Sequence, residues 1–162
     1  VCDGIICHGF TTEKYLREVT IPNIAKGREK AGKTMDGFQI SGPFFVVTGQ
    51  NEEDMAAAEA ATKQQIAFYG STPAYKGVLE IHGWDGMQEE LNTLSKQGKW
   101  VEMGNIIDDE VLNTFAVVAE PDKVAGELIK RYGDVVDRLS FYAPGQSDAA
   151  QWRSVMDQLR AG

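Results

Sequence analysis

Cysteine is scarce. Cys2 and Cys7 are the only two in 162 residues, five positions apart with apolar residues among those between them. That is no zinc-ligand spacing, and a disulfide framework needs more thiols. Histidine is as rare: His8 and His82 lie far apart, with no H-x-x-x-H or C-x-x-C pattern, so no metal site is expected. No apolar run approaches the roughly 18–20 residues of a membrane helix; the longest, Ile5–Cys7 and Pro43–Val47, are strand-sized. Cations are in deficit, 16 Lys and Arg against 24 Asp and Glu, for a net charge of −8. Duplex nucleic acid needs clustered cations to replace its counterions, so it is not an expected partner. The opening Val1-Cys2-Asp3-Gly4 has neither the basic nor the apolar region of a signal peptide. With bare thiols, this makes a reducing cytoplasm the expected location. Neither a G-x-S-x-G elbow nor a G-x-G-x-x-G fingerprint is present.

What is present is a globular mixture, 43% hydrophobic and 25% charged, which excludes a disordered or fibrous chain and fits one domain over residues 1–162. Ile5–Cys7 is expected as a short strand, with His8-Gly9-Phe10 as the loop after it. Thr11 and Thr12 are candidate N-caps. Tyr15, Leu16, Val19 and Ile24 mark a helix that Pro22 should kink or restart and that Gly32 or Gly37 closes. Phe38–Thr48 is expected as a strand buried on both faces, as in parallel sheets covered by helices. Asn51 caps a helix with Glu52, Glu53 and Asp54 at the positive end of its dipole, running to Gly70. Residues 71–119 read as a helical insertion, with a break at Ser71-Thr72-Pro73, a turn at Gly83–Gly86, one or two helices over Met87–Ile107 interrupted at Gly98, and a short helix capped by Asp108. Pro121 opens a helix bearing Val124, Leu128, Ile129 and Tyr132. Val135–Tyr142 is expected as a third strand, and Ser147 as the cap of a last helix. Strands alternating with helices predict the α/β class with a parallel sheet.

Gly27-Arg28-Glu29-Lys30-Ala31-Gly32-Lys33-Thr34 matches the phosphate-loop pattern letter for letter. That mechanism needs a strand entering the loop and a helix leaving it, so that amides face the phosphates. Here the expected order is reversed. The segment reads as a charged helix end with Gly32 as its left-handed cap, and nucleotide binding is the weakest of the functional readings. His8 directly follows a strand, where open α/β folds place ligands; it either lines a site or merely caps the strand end. His82, inside the insertion, is expected to be structural, and Asp108-Asp109-Glu110 to be a helix cap. Phe68–Gly77 combines two tyrosines, small residues and a lysine after a helix, the composition of a wall for a flat ring. Its competing reading is core packing of an inserted helix pair. Tyr142-Ala143-Pro144-Gly145 is placed like a further pocket wall.

Four stretches carry a family resemblance: Cys2-Asp3-Gly4-Ile5-Ile6, Ile40–Val47 ahead of an acidic, Ala-rich helix, Gln65–Tyr75, and Asp134–Phe141. Together they resemble the C-terminal part of a luciferase-like monooxygenase, more narrowly the oxidoreductase branch that uses the deazaflavin coenzyme F420. Ala67-Phe68-Tyr69-Gly70-Ser71-Thr72-Pro73-Ala74-Tyr75 is the most specific part. The resemblance implies a (β/α)8 TIM barrel with an insertion, in which Ile5–Cys7, Gln39–Val47 and Val135–Tyr142 are the last three strands. A full barrel takes about 250 residues, so the chain is expected to be a partial barrel, with residues 71–119 as a helical insertion between its last two strands. The implied chemistry is hydride transfer between F420, or FMN as the alternative, and a small organic substrate. His8 is then the candidate catalytic residue, and Cys7, Gly9, Phe10, Tyr69, Tyr75 and Tyr142 are the candidate coenzyme contacts. Most of the family's ring-cradling residues and its phosphate-gripping loop would lie ahead of Val1, so the chain alone is expected to be inactive or incomplete. The competing reading is a non-catalytic truncated or assembly module.

Open strand edges and faces such as Phe44, Val46 and Phe141 invite a second chain, so a homo-oligomer is expected. Light scattering at tens of micromolar should therefore report a dimer or larger species, and a monodisperse monomer contradicts this expectation.

Overall fold

The computed structural model describes residues 2–145 and 149–161. Strand β1 (Gly4–Ile6) is followed by α1 (Glu13–Tyr15), a π-helical turn (Leu16–Thr20) and α2 (Ile21–Lys30). Thr12 caps α1, its hydroxyl accepting the Tyr15 amide at 3.1 Å. Pro22 restarts the helix rather than ending it. It stands in the first turn of α2, after a wide turn closed by the Ile21 amide on the Leu16 carbonyl. A first-turn residue has no intrahelical amide bond to lose, so the proline is tolerated there. Gly32 ends α2 at φ +68°, with the Lys33 amide on the Arg28 carbonyl and the Gly32 amide on the Glu29 carbonyl, both at 2.9 Å. The phosphate-loop look-alike is therefore a helix C-terminus and offers no amide cradle. Its Arg28 is committed to the fold: the guanidinium donates to the carbonyls of Thr34 and Cys2 and lies 4.7 Å over the Phe38 ring.

Strand β2 (Gln39–Val47) is the centre of the sheet, and the three other described strands each pair with it in parallel. The Cys7 and Ala119 amides bond the carbonyls of Ser41 and Val47, whereas the Asp137 amide bonds that of Ile40. Odd residues of β2 thus serve one edge and even residues the other. β1 and β3 (Ala116–Val118) share the odd edge end to end, and β4 (Arg138–Tyr142) runs along the even edge. Pro43 is odd. Its missing amide falls in the gap between β1 and β3, where no ladder bond is broken.

The described residues hold four strands, not the expected three. β3 is only three residues long and follows α7 (Asp109–Phe115) with no turn signal, so nothing in its local sequence announced it. Residues 71–119 are consequently not wholly helical. They hold a 3-10 turn (Pro73–Tyr75), α4 (Lys76–Glu80), α5 (Met87–Lys96), α6 (Trp100–Ile106) and α7, and end on a strand of the main sheet. The first strand ends at Ile6 instead of Cys7. The last begins at Arg138 instead of Val135, because the Val135 and Val136 amides both turn back to the Tyr132 carbonyl, at 3.0 and 2.9 Å. Asp137 then locks the start of β4, its carboxylate accepting the Ile40 amide at 2.7 Å. Pro121 stands three residues ahead of α8 (Val124–Tyr132), in a turn closed by the Lys123 amide on the Glu120 carbonyl. The expected caps Asn51, of α3 (Glu52–Gly70), and Asp108, of α7, each accept the amide three residues on at 2.9 Å. Ser147 lies outside the described residues.

Side-chain alternation along β2 feeds two cores. Ile40, Phe44 and Val46 pack with Leu16, Val124, Leu128, Tyr132 and, from α9 (Ala149–Ala161), Val155, so the face expected to be open at Phe44 and Val46 is covered by helices and only strand edges remain for a second chain. Phe45 and Val47 pack with α3 and the insertion through Ile66, Ala67, Leu91, Met103 and Phe115. The outcome is an α/β fold whose parallel sheet carries helices on both faces. None of the described helices is long and apolar enough to cross a membrane.

His82 fastens the insertion to the loop after β1. Its Nε2 lies 2.8 Å from the Thr12 hydroxyl, and its ring stacks on Trp84 at 4.7 Å. Thr12 Oγ1 already accepts the Tyr15 amide, so its one proton is free for Nε2, which fits a neutral imidazole. Burial, helped by the Lys14 ammonium and opposed by Glu18 and Glu110, holds His82 below the usual imidazole range. The unfolded chain therefore binds this proton more readily than the folded one. The resulting stability penalty is absent above the ordinary histidine pKa and grows as pH falls from it to the lowered folded value. The melting temperature should fall between pH 7 and pH 5 (roughly the histidine window), and His82→Gln should flatten that slope. An unchanged slope in the variant contradicts the assignment.

Candidate functional site

Because the strands are parallel, their carboxyl ends open on one side of the sheet, where ligands of α/β proteins are bound. Three segments meet there: the loop after β1, the C-terminal end of α3 with its 3-10 turn, and the end of β4. His8 is exposed. Its Nδ1 accepts the Phe10 amide at 3.0 Å, so a neutral ring carries its proton on Nε2, as a donor free for a ligand. The ring lies between two tyrosines, stacked on Tyr75 at 4.9 Å and 25° and edge-on to Tyr69 at 4.9 Å and 79°. The hydroxyls of Tyr69 and Tyr142 are 2.8 Å apart, joining α3 to β4. Burial first, then the hydrogen bond with Tyr69, keeps the Tyr142 phenol above the ordinary tyrosine range.

The chain builds this cluster from local rules. Tyr142 stacks on Phe45 of the neighbouring strand at 4.6 Å and 18°. Gly9 lets the loop pass beneath that ring, since a Cβ there would stand 3.0 Å from Tyr142 Cδ1. Phe10 is buried and stacks on Phe115 at 4.6 Å, which anchors the loop. Phe45 and Phe115 were not singled out in the sequence, although period-2 alternation places Phe45 on the same sheet face as Val47. The structure thus brings His8, Gly9, Phe10, Tyr69, Tyr75 and Tyr142 together, Gly9 and Phe10 from below the surface. It sends Cys7 elsewhere. The thiol is buried with Leu16, Phe38 and Ile40 on the opposite sheet face, where burial raises its pKa. No group of three His, Cys, Asp or Glu among the described residues is arranged to hold a metal ion.

A separate open cleft of about 690 Å³ lies at the ends of β2 and β3, between Gly49–Glu52, Met55, Glu59 and Glu120–Asp122. Four carboxylates line it, of Glu52, Glu59, Glu120 and Asp122, so it disfavours an anionic ligand.

Comparison with known proteins adds the family. The profile of the luciferase-like monooxygenases matches residues 1–138. An uncharacterised protein of Mycobacterium tuberculosis is 47% identical over 139 residues, covering 86% of this chain and 41% of that protein. The 5,10-methylenetetrahydromethanopterin reductase of Archaeoglobus fulgidus is 29% identical over 129 residues, covering 75% of this chain and 36% of the reductase. Among solved structures, the coenzyme F420-dependent tetrahydromethanopterin reductase of Methanopyrus kandleri superposes with a TM-score of 0.70 at 19% identity, over 98% of this chain and 44% of that one. That last likeness concerns the fold. The chain spans less than half the length of these relatives.

Proposed function

The chain belongs to the luciferase-like monooxygenase family, and on that footing we propose that its strand-end cluster is one wall of the coenzyme and substrate site of an F420-dependent oxidoreductase. The observation that carries this reading is His8: exposed at the end of β1, held by Tyr75 and Tyr69, with Nε2–H left over as a donor. The reductases named above support F420 over other coenzymes, and FMN is the alternative ring for the same wall. The further reading, that the chain corresponds to a late portion of a barrel with the insertion roofing the site, rests on its partial coverage of those relatives.

The residues present fit the coenzyme's ring. A flat ring needs aromatic surface and a donor for its polar edge, and the His8, Tyr69 and Tyr75 rings with the His8 Nε2–H offer both. They do not fit a phosphate. Lys76, next to Tyr75, is engaged by Glu80 and Glu89, and the cleft at the ends of β2 and β3 is acidic. The proposal therefore leaves the phosphate to the part of the longer relatives that this chain does not match. When bound, the coenzyme gives or accepts a hydride. His8 orients its ring through Nε2–H, Tyr75 holds His8 by stacking, and the buried rings of Phe10, Phe45 and Phe115 keep water from behind the wall. A small organic substrate would sit against the tyrosine hydroxyls, and a second copy of the chain would cover the open sheet edges.

Fluorescence titration of the protein with F420, with FMN in parallel, tests this. Saturable binding of F420 is expected, weakened about tenfold by His8→Ala through loss of one hydrogen bond to the ring. No saturable binding, or equal affinity in the variant, overturns the reading, and binding of FMN alone transfers it to flavin.

A further inference from the structure

We propose that the Tyr69–Tyr142 pair is a two-hydroxyl proton donor, Tyr69 giving the proton to substrate and Tyr142 holding the oxygen left behind. This deepens the functional reading above and rests on it.

The geometry carries the argument. The two hydroxyl oxygens are 2.8 Å apart, and each belongs to a half-buried side chain. A phenol has one proton, so in such a pair one hydroxyl donates to the other and only the second has a proton to spare. Their surroundings decide which is which. Tyr142 is clamped: its ring stacks on buried Phe45 and rests over Gly9, where no side chain separates them. Tyr69 has its ring against exposed His8 and Phe68, against Tyr75 and against buried Phe10. In the proposed arrangement Tyr142 donates to the Tyr69 oxygen, which leaves the Tyr69 proton to spare on the side of the His8 ring. The groups around the pair, from the β1 loop, α3, the 3-10 turn and β2, are the His8 and Tyr75 rings, Phe10, Phe68 and Phe45. Burial, then the hydrogen bond with Tyr69, keeps the proton on Tyr142 to higher pH than on an ordinary phenol, so it stays available to the Tyr69 oxygen.

The chemistry balances. With the coenzyme bound, hydride delivered to the carbon of a C=N or C=O bond would leave an electron pair on the heteroatom. That atom takes the Tyr69 phenol proton. The Tyr69 oxygen, now anionic, accepts the Tyr142 O–H hydrogen bond, which stabilises it as an oxyanion hole would, and solvent then returns the proton. The class of substrate implied is a small molecule with a polarised double bond to nitrogen or oxygen.

The test uses protein labelled with 13C at tyrosine Cζ, whose chemical shift reports each phenol's ionisation, together with F420 titration of the same samples. In the wild type the Tyr142 signal should hold its protonated position beyond the ordinary tyrosine range. Tyr69→Phe, which keeps the ring and its packing, should move that titration down by about one unit, because the hydrogen bond between the hydroxyls is lost. Tyr142 titrating identically in both proteins, with F420 binding intact, overturns the donor pair and leaves the functional reading standing. The expected shift without any F420 binding takes the donor role down with the reading it rests on. The expected shift together with F420 binding that survives Tyr69→Phe supports a proton-giving role over a ring-holding one.

Discussion

The fold hangs on the backbone of one strand. β1, β3 and β4 all pair with Gln39–Val47, and its odd and even residues divide the work of the two edges. The same alternation divides the side chains, with Ile40, Phe44 and Val46 to one core and Phe45 and Val47 to the other. Parallel pairing to one template brings the ends of β1 and β4 to the same side of the sheet. That single constraint sets His8 and Tyr142 in one neighbourhood although they are 134 positions apart in the chain. Pro43, a poor residue for an inner strand, is harmless only because of where its missing amide falls.

The insertion does for the other half of the site what β2 does for the first. Tyr69 and Tyr75 come from the end of α3 and the 3-10 turn after it, and they reach His8 because Thr12 and His82 bind the β1 loop to the same region. Phe10 and Trp84 both reach Phe115, so the loop and the insertion share one aromatic core. The wall is therefore a product of packing between elements far apart in the chain.

Much of this was legible in the sequence, for physical reasons. The continuous apolar run of β2, the acidic first turn after Asn51 and the glycine at the end of α2 each have one low-energy answer, and the structure adopts it. Strand-end position alone drew attention to His8 and Tyr142. The failures have equally local causes. β3 is too short to show a period. Val135 and Val136 favour a strand by propensity, but their amides are claimed by the Tyr132 carbonyl first. Cys7 adjoins His8 in sequence, yet successive side chains of an extended segment point to opposite faces, so the thiol enters the wrong core for a ligand. The resemblance of Gly27–Thr34 to a phosphate loop dissolves on direction alone: a helix end presents carbonyls to a would-be phosphate.

The central claim is that the face formed by His8, Tyr69, Tyr75 and Tyr142 is where the coenzyme ring rests. Mapping F420-induced chemical-shift changes residue by residue tests it most directly. The account predicts that the ring signals of these four residues move together and saturably, while the signals of Glu52, Glu59 and Glu120 in the acidic cleft at the ends of β2 and β3 stay in place. Changes centred on that cleft, with the four rings unmoved, would contradict it.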